Sequence, residues 1–153
     1  MDTEDLIKLL KDHKVKFVII GATAFPVHGY ARATLDIDIF IQPTKQNAKR
    51  TWQALKAFGY RVADISIETL LTKKLLIRQS FVETDIHPFV AGAAFETVWK
   101  NRVRAKFGET YANFASLNDL IRMKRAAGRT KDLEDLKFLV KLRKKGPASK
   151  RKP

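Results

Sequence analysis

The hydrophobic pattern of the first part of the chain predicts a helix followed by two strands. Apolar residues recur at helical spacing over residues 5–13, and the apolar run over residues 15–20 is typical of a buried strand. Residues 22–28 predict a short helix and residues 29–34 a loop. Over residues 35–41 polar and apolar positions alternate, which is the period of a half-buried strand.

The middle of the chain predicts one long helix and several shorter elements in mixed order. Thr44 is the predicted cap of the long helix, and Gly59 ends it because glycine tolerates the left-handed conformation that follows a helix. The later segments predict a strand (60–67), a helix or strand (70–78), a strand (81–89), a helix (95–99) and a hairpin (103–107 with 111–114).

Two helices close the predicted core. Ser116 and Asp119 have the spacing of a capping box, and the helix that they begin ends at Gly128. Thr130 is the predicted cap of a second helix, whose apolar face consists of Leu133, Leu136, Leu139 and Val140. The whole pattern predicts an α+β fold, an α/β sandwich in which helices flank a mixed sheet and a helical pair follows it.

Length and charge refine the domain organisation. The 153 residues fit one domain, with a core (1–114), C-terminal helices packed on the core (115–142) and a disordered basic tail (143–153). The net charge is +14, and residues 141–153 contain seven lysines or arginines and no acid. Such a tail either holds an RNA or DNA backbone by releasing counterions or only aids solubility, and the sequence leaves both open.

Composition excludes several kinds of site. The absence of cysteine excludes disulfides, zinc sites with thiolate ligands and cysteine nucleophiles. No apolar run approaches the ~20 residues that cross a membrane, and residues 1–5 are acidic, unlike a secretory signal. We therefore expect a cytoplasmic protein without a membrane partner.

The most informative feature is a pair of aspartates inside the predicted strand. Asp36 and Asp38 point to the same face of the strand, about 7 Å apart. Their negative charges repel each other, and a folded chain tolerates this when a cation lies between them or when the strand end is exposed to solvent. Asp85 stands in similar apolar surroundings, so three carboxylates converge if the two strands pair. Oxygen ligands without cysteine favour Mg²⁺ or Mn²⁺ over zinc. The alternative is an exposed strand face whose aspartates pair with lysine or arginine.

A glycine turn lies fifteen residues before this pair, at Gly21. Glycine lets a backbone approach a phosphate closely, and the N–H groups at the start of the following helix attract an anion. Sites that catalyse phosphoryl transfer require both groups that bind phosphate and groups that bind a metal ion. We therefore expect the turn and the aspartates to face one cleft.

The stretch over residues 18–41, with Gly21, the His28-Gly-x-x-Arg-x-Thr linker and Asp36-Ile-Asp38, resembles the opening motif of the DNA polymerase beta-like nucleotidyltransferase superfamily. It is most similar to the small bacterial and archaeal branch that includes toxin–antitoxin nucleotidyltransferases. Residues 115–136 resemble the helical closing motif of that branch, and Asp85 matches its third acid. The sequence departs from the family at Ala22, where members carry Gly or a Ser whose hydroxyl contacts the phosphates.

The resemblance implies transfer of a nucleoside monophosphate from an NTP to a hydroxyl group, with Mg²⁺ or Mn²⁺ as cofactor. The implied catalytic and metal-binding residues are Asp36, Asp38 and Asp85. The implied nucleotide-binding residues are Gly21, Ala22, Thr23, Arg32 and Lys124. For Arg32 and Lys124, a solvated surface position is the alternative. The implied acceptor is an RNA, such as the 3′ end of tRNA, or a protein, and a cognate toxin or antitoxin partner is implied as well.

Other polar residues near these motifs have a structural interpretation beside the functional one. His87 shares the predicted strand face of Asp85 and either supports a metal ligand or makes a structural hydrogen bond, which we favour. Arg129, Asp132 and Asp135 predict a polar network that holds the closing helices, or ordinary helix capping by Asp132. For the whole chain, the alternative function is a catalytically inactive module of the same fold that binds nucleic acid or a partner protein.

Overall fold

The computed structural model describes residues 1–79 and 82–146, and it has the predicted α+β architecture. The helices are α1 (Thr3–Asp12), α2 (Lys45–Phe58), α3 (Ile67–Thr72), α4 (Phe95–Lys100), α5 (Leu117–Ala127) and α6 (Asp132–Lys145), and a 3₁₀ helix covers Gly21–His28. The strands are β1 (Phe17–Ile20), β2 (Asp36–Ile41), β3 (Leu75–Ile77), β4 (Glu83–His87), β5 (Val103–Phe107) and β6 (Thr110–Phe114).

Within the described residues, the strands form one six-stranded mixed sheet in the order β3-β4-β2-β1-β6-β5. β2 pairs antiparallel with β1 and parallel with β4, while β6 pairs parallel with β1. The central strand β1 is buried along its whole length. The turn after β1 therefore lies at the same end of the sheet as the start of β2, where Asp36 and Asp38 stand.

Local sequence signals account for most helix ends. Thr44 caps α2 through a hydrogen bond from the Asn47 N–H group, and Gly59 ends α2 with a positive φ of 105°. Ser116 caps α5 in the same way, and Gly128 ends it. These four predicted helix ends and the hairpin of β5 and β6 are confirmed.

The predicted cap of the last helix was wrong. Lys131, not Thr130, precedes α6, and its side chain makes no capping hydrogen bond. An acidic first turn replaces the cap, because Asp132, Glu134 and Asp135 place negative charge beside the positive end of the helix dipole. The helix continues to Lys145, three residues beyond the predicted boundary at residue 142, and Leu142 is buried. Residues 147–153 of the predicted tail lie outside the described residues.

The predicted strand over residues 60–67 was also wrong. Tyr60 and Val62 are buried while Arg61 is exposed, so the segment has the alternation of a strand without its pairing. The indole N–H of Trp52 donates to the carbonyl oxygens of Val62 and Ile65 instead, at 3.1 and 2.9 Å. A side chain from α2 thus satisfies backbone groups that a neighbouring strand would otherwise satisfy.

The segment over residues 70–78, predicted as helix or strand, contains the end of α3 followed by β3. The strand predicted over residues 81–89 is β4 (Glu83–His87), and Phe81 lies outside the described residues. Among residues 1–79 and 82–146, no helix is long and apolar enough to cross a membrane.

Candidate metal and nucleotide site

The structure brings the three predicted aspartates to one cleft. In the parallel pairing of β2 and β4, Asp38 lies opposite Asp85, and Asp36 lies opposite Glu83. Asp36, Asp38 and Asp85 all line the same cavity, together with Gly21. The register follows from strand burial: with Ile37 and Ile39 fixed in the core, the aspartates between them must face the other way.

Asp38, Asp85 and His87 form a compact group of possible metal ligands. One ligand atom from each of the three side chains lies within 4.8 Å of the other two. The Nε2–H group of His87 donates to Asp38 Oδ1 at 2.8 Å. This hydrogen bond fits both interpretations of the histidine, because Asp38 is itself a predicted metal ligand. Asp36 does not belong to this compact group, because its carboxylate accepts from the Thr34 hydroxyl at 3.1 Å and faces Arg78.

Arg78, which no sequence pattern pointed to, lies beside three of the carboxylates at this end of the sheet. Its Nη1 donates to Asp85 Oδ1 at 2.7 Å, while Nη2 lies 3.7 Å from Asp36 Oδ2 and Nε 3.5 Å from Glu83 Oε2. The hydrogen bond to Asp85 raises the pKa of Arg78. The antiparallel pairing of β3 with β4 brings Arg78 to Asp85. The sequence could have indicated this contact only if residues 70–78 had been recognised as containing a strand, and their pattern fitted helix and strand equally.

Gly21 contacts an aspartate rather than open space. Its φ is +69°, and a Cβ placed on it would lie 2.5 Å from Asp38 Oδ2. Only glycine allows the turn after β1 to come this close to the acid. Ala22 also lines the cleft, whereas the Thr23 hydroxyl donates to the Asp36 carbonyl oxygen at 3.4 Å. Of the three turn residues predicted to bind nucleotide, two therefore face the cleft.

The helical pair forms the opposite wall of the cleft through an ion-pair network. Lys124 Nζ lies 2.9 Å from Asp132 and 3.3 Å from Asp135, and Arg129 Nε lies 2.8 Å from Asp132. Arg32 reaches Asp135 from the loop before β2, at 2.8 Å. The network predicted for Arg129, Asp132 and Asp135 is present, and it also contains the two predicted phosphate ligands.

The partners of Asp132 favour its ionised form. Burial alone would raise the pKa of Asp132, but hydrogen bonds from Arg129 and Lys124 lower it to about 2. Tyr30 donates to Asp135 at 2.9 Å, and its burial together with this hydrogen bond raises the pKa of the phenol. The wall therefore consists of charged groups held in fixed positions.

The cleft between the sheet and the helices has a volume of about 790 Å³, which suits a ligand of nucleotide size. Its floor carries the carboxylates of β2 and β4, and its far wall carries the cations Arg32, Lys124 and Arg129. Three cations and two carboxylates give the wall network a net charge of +1. An acidic floor facing a cationic wall can hold a divalent ion and a polyphosphate together.

A family model described as a nucleotidyltransferase of unknown function (DUF6036) matches residues 1–140. The chain belongs to this family, which supports the predicted nucleotidyltransferase resemblance at that level. The match spans all three aspartates, the glycine turn and most of the helical pair. No curated protein sequence matches the chain. The toxin–antitoxin branch stays a prediction.

Proposed function

We propose that the protein is a divalent-metal-dependent nucleotidyltransferase that moves a nucleoside monophosphate from an NTP to an acceptor hydroxyl. The observation that carries this proposal is the pairing of Asp38 with Asp85 across neighbouring strands, at the mouth of the Gly21 turn. A pure binding module has no need to concentrate repelling carboxylates in a cleft of nucleotide size. Membership of a nucleotidyltransferase family agrees with this proposal.

The donor set of the floor fits a hard divalent cation. Asp38 and Asp85 each offer a carboxylate oxygen and His87 a ring nitrogen within one small group, and Asp36 adds a carboxylate from the same strand face. Oxygen-rich sites of this kind suit Mg²⁺ or Mn²⁺. When bound there, the ion would neutralise charge on the phosphates and make an acceptor hydroxyl more acidic.

The remaining residues of the cleft have roles that their positions support. The Gly21 and Ala22 N–H groups lie at the turn and offer donors to a phosphate. Arg32 and Lys124 supply positive charge from the wall, where Asp132 and Asp135 hold them in place. The hydroxyl of the acceptor would enter beside Asp85, which would take its proton or only hold the ion.

We propose RNA, such as the 3′ end of tRNA, as the acceptor, with a protein hydroxyl as the alternative. The net charge of +14 supports a polyanionic acceptor, because positive surfaces attract nucleic acid by releasing its counterions. A role as one half of a toxin–antitoxin pair rests only on the sequence resemblance.

The test uses the full chain with each of the four α-labelled NTPs, Mg²⁺ or Mn²⁺, and bulk tRNA or candidate proteins. We expect label transfer by the wild type and a fall to background in Asp38→Asn and Asp85→Asn, since each removes one ligand charge from the floor. Asp64→Asn is the matched control, because Asp64 is exposed and does not line the cleft. Transfer that persists in Asp38→Asn would contradict the proposed chemistry.

Two observations favour the inactive module as a second candidate. Arg78 already neutralises Asp85 at 2.7 Å, and Ala22 lacks the phosphate-binding hydroxyl of family members with serine there. Calorimetry separates the two candidates. Absence of binding for every Mg²⁺–NTP, together with retained tRNA binding, would identify the module.

A further inference from the structure

Arg78 and Asp85 form an ion pair whose partners differ in solvent exposure: the arginine is exposed and the aspartate is buried. The Arg78 side chain is 41% exposed, whereas the Asp85 side chain is 6% exposed. Removing one partner of a buried ion pair is strongly unfavourable, so a positive charge beside Asp85 stabilises the fold. In the metal-free protein, Arg78 supplies that charge.

We propose that Arg78 is the resident counter-cation of Asp85, and that a divalent cation binds by displacing its guanidinium towards the rim of the cleft. This inference rests on the proposed function, since it assigns to Arg78 the control of the same metal site. Arg78 thereby becomes a determinant of how tightly the site holds metal.

The surroundings of Arg78 provide a place for the displaced guanidinium. Asp36 and Glu83 lie 3.7 and 3.5 Å from Nη2 and Nε, and their side chains are 32% and 38% exposed. Both distances are longer than a direct hydrogen bond, so each acid can draw closer to the guanidinium after Asp85 is released. The positive charge keeps carboxylate partners throughout the exchange.

The exchange also requires little rearrangement of the fold. Arg78 follows the three-residue edge strand β3, and its side chain lines the cleft while staying 41% exposed. Lys124 offers a contrast, because it is 14% exposed and two nearly buried carboxylates hold it. Of these two cations, Arg78 is the one that can leave a carboxylate without unpacking a helix.

Removal of the Arg78 charge should therefore act in opposite directions on stability and on metal affinity. Compared with wild type, Arg78→Gln should bind Mn²⁺ about tenfold more tightly in calorimetry, since one charge-assisted hydrogen bond no longer has to be broken. In EDTA the same variant should unfold about 3 °C lower, because Asp85 loses its partner. Saturating Mn²⁺ should close that gap.

Two further variants make the comparison specific. Arg78→Lys keeps the charge but not the fork-shaped donor set, so its affinity and EDTA midpoint should lie between those of wild type and Arg78→Gln. Arg61→Gln removes the same charge from an exposed residue that does not line the cleft, and it should match wild type in both measurements.

Displacement can also be observed directly with diamagnetic Mg²⁺. The Nε–Hε resonance of Arg78, assigned by its absence from the Arg78→Gln spectrum, should shift as Mg²⁺ is added. A resonance that stays in place while Mg²⁺ binds would overturn the inference.

The outcomes separate this inference from the proposed function. Wild-type Mn²⁺ binding combined with equal or weaker binding by Arg78→Gln would overturn the role of Arg78 alone. Equal EDTA midpoints for wild type and Arg78→Gln would overturn the counter-cation role. A failure of every variant, wild type included, to bind Mn²⁺ would overturn both the inference and the metal-dependent function.

Discussion

At the scale of single residues, the site depends on one close approach between a turn and an acid. A side chain at position 21 would have to occupy space that Asp38 Oδ2 now fills, 2.5 Å from the Cβ position. The backbone of Gly21 also has φ +69°, which other residues rarely adopt. Two separate constraints, one steric and one conformational, therefore require glycine here.

We predict that Gly21→Ala destabilises the protein by more than the about 1 kcal/mol that a left-handed backbone costs an alanine, and that it weakens Mn²⁺ binding. The added methyl group pushes the Asp38 carboxylate away from Asp85 and His87. Denaturant unfolding and Mn²⁺ calorimetry measure the two effects.

Gly59→Ala is the matched control for this prediction. Gly59 has φ +105°, and a Cβ added there meets nothing within 4 Å. This variant should show the conformational cost and unchanged metal binding. Equal metal affinity in Gly21→Ala and Gly59→Ala would show that the contact with Asp38 does not matter to the site.

The residues of the floor differed in how well sequence alone could place them. Alternation within β2 was enough to assign Asp36 and Asp38 to one face, because burial of Ile37 and Ile39 sets the register. The contact of Arg78 with Asp85 depends on how β3 pairs with β4, and no local pattern specifies that pairing. Polar contacts between side chains on different strands could therefore be identified only from the structure.

At the scale of elements, the two helices of the closing pair begin in different ways. The Ser116 hydroxyl accepts from the Asp119 N–H group at 3.2 Å and donates to the Asp119 carboxylate at 3.0 Å. At the start of α6, by contrast, the exposed Thr130 precedes Lys131, and acidic residues fill the first turn.

We predict that Ser116→Ala costs about 1 kcal/mol of unfolding free energy, the usual worth of a lost N-cap. Thr130→Ala should change the unfolding free energy by less than about 0.5 kcal/mol, since it does not cap the helix. Urea unfolding of the two variants measures the difference. A larger loss in Thr130→Ala than in Ser116→Ala would reverse our assignment of the caps.

Elements with their own end signals could be predicted, and elements defined by distant contacts could not. Thr44, Gly59, Ser116 and Gly128 mark helix ends through their own chemistry. The loop after Gly59 has the burial pattern of a strand because Tyr60 and Val62 enter the core. Its backbone groups bond instead to the side chains of Trp52 and Gln79, which lie outside the loop in the sequence. Side-chain burial at every second residue is therefore insufficient proof of a strand.

At the scale of the whole molecule, the ion-pair wall links folding to pH. Asp132 is 2% exposed, and its pKa of about 2 lies below the ordinary value of 3.8. A lowered pKa in the folded state means that the ionised group adds stability above about pH 4, and that this stability is lost as pH falls towards 2.

We predict that Asp132→Asn is less stable than wild type at pH 7, by about 2 kcal/mol, and that the difference shrinks steadily as pH falls from 4 towards 2, the pKa of the folded-state carboxyl. In that range the wild-type carboxylate becomes protonated and loses its advantage over an amide. Denaturant unfolding at a series of pH values gives the difference curve. Asp64→Asn, at an exposed position outside the network, should stay within about 0.5 kcal/mol of wild type at pH 7. A difference for Asp132→Asn that is no smaller at pH 2 than at pH 7 would contradict the role of its charge.

The parallel pairing of β2 and β4 has a mechanical consequence. The chain between these strands carries α2, α3 and β3, so Asp38 and Asp85 are distant along the polypeptide although they lie opposite each other in the sheet. A ligand bound by both side chains cross-links β2 to β4 and closes the long chain segment between them, so it opposes separation of the two strands. Amide hydrogens of β2 and β4 should then exchange more slowly in the ligand-bound protein, even where they lie outside the cleft.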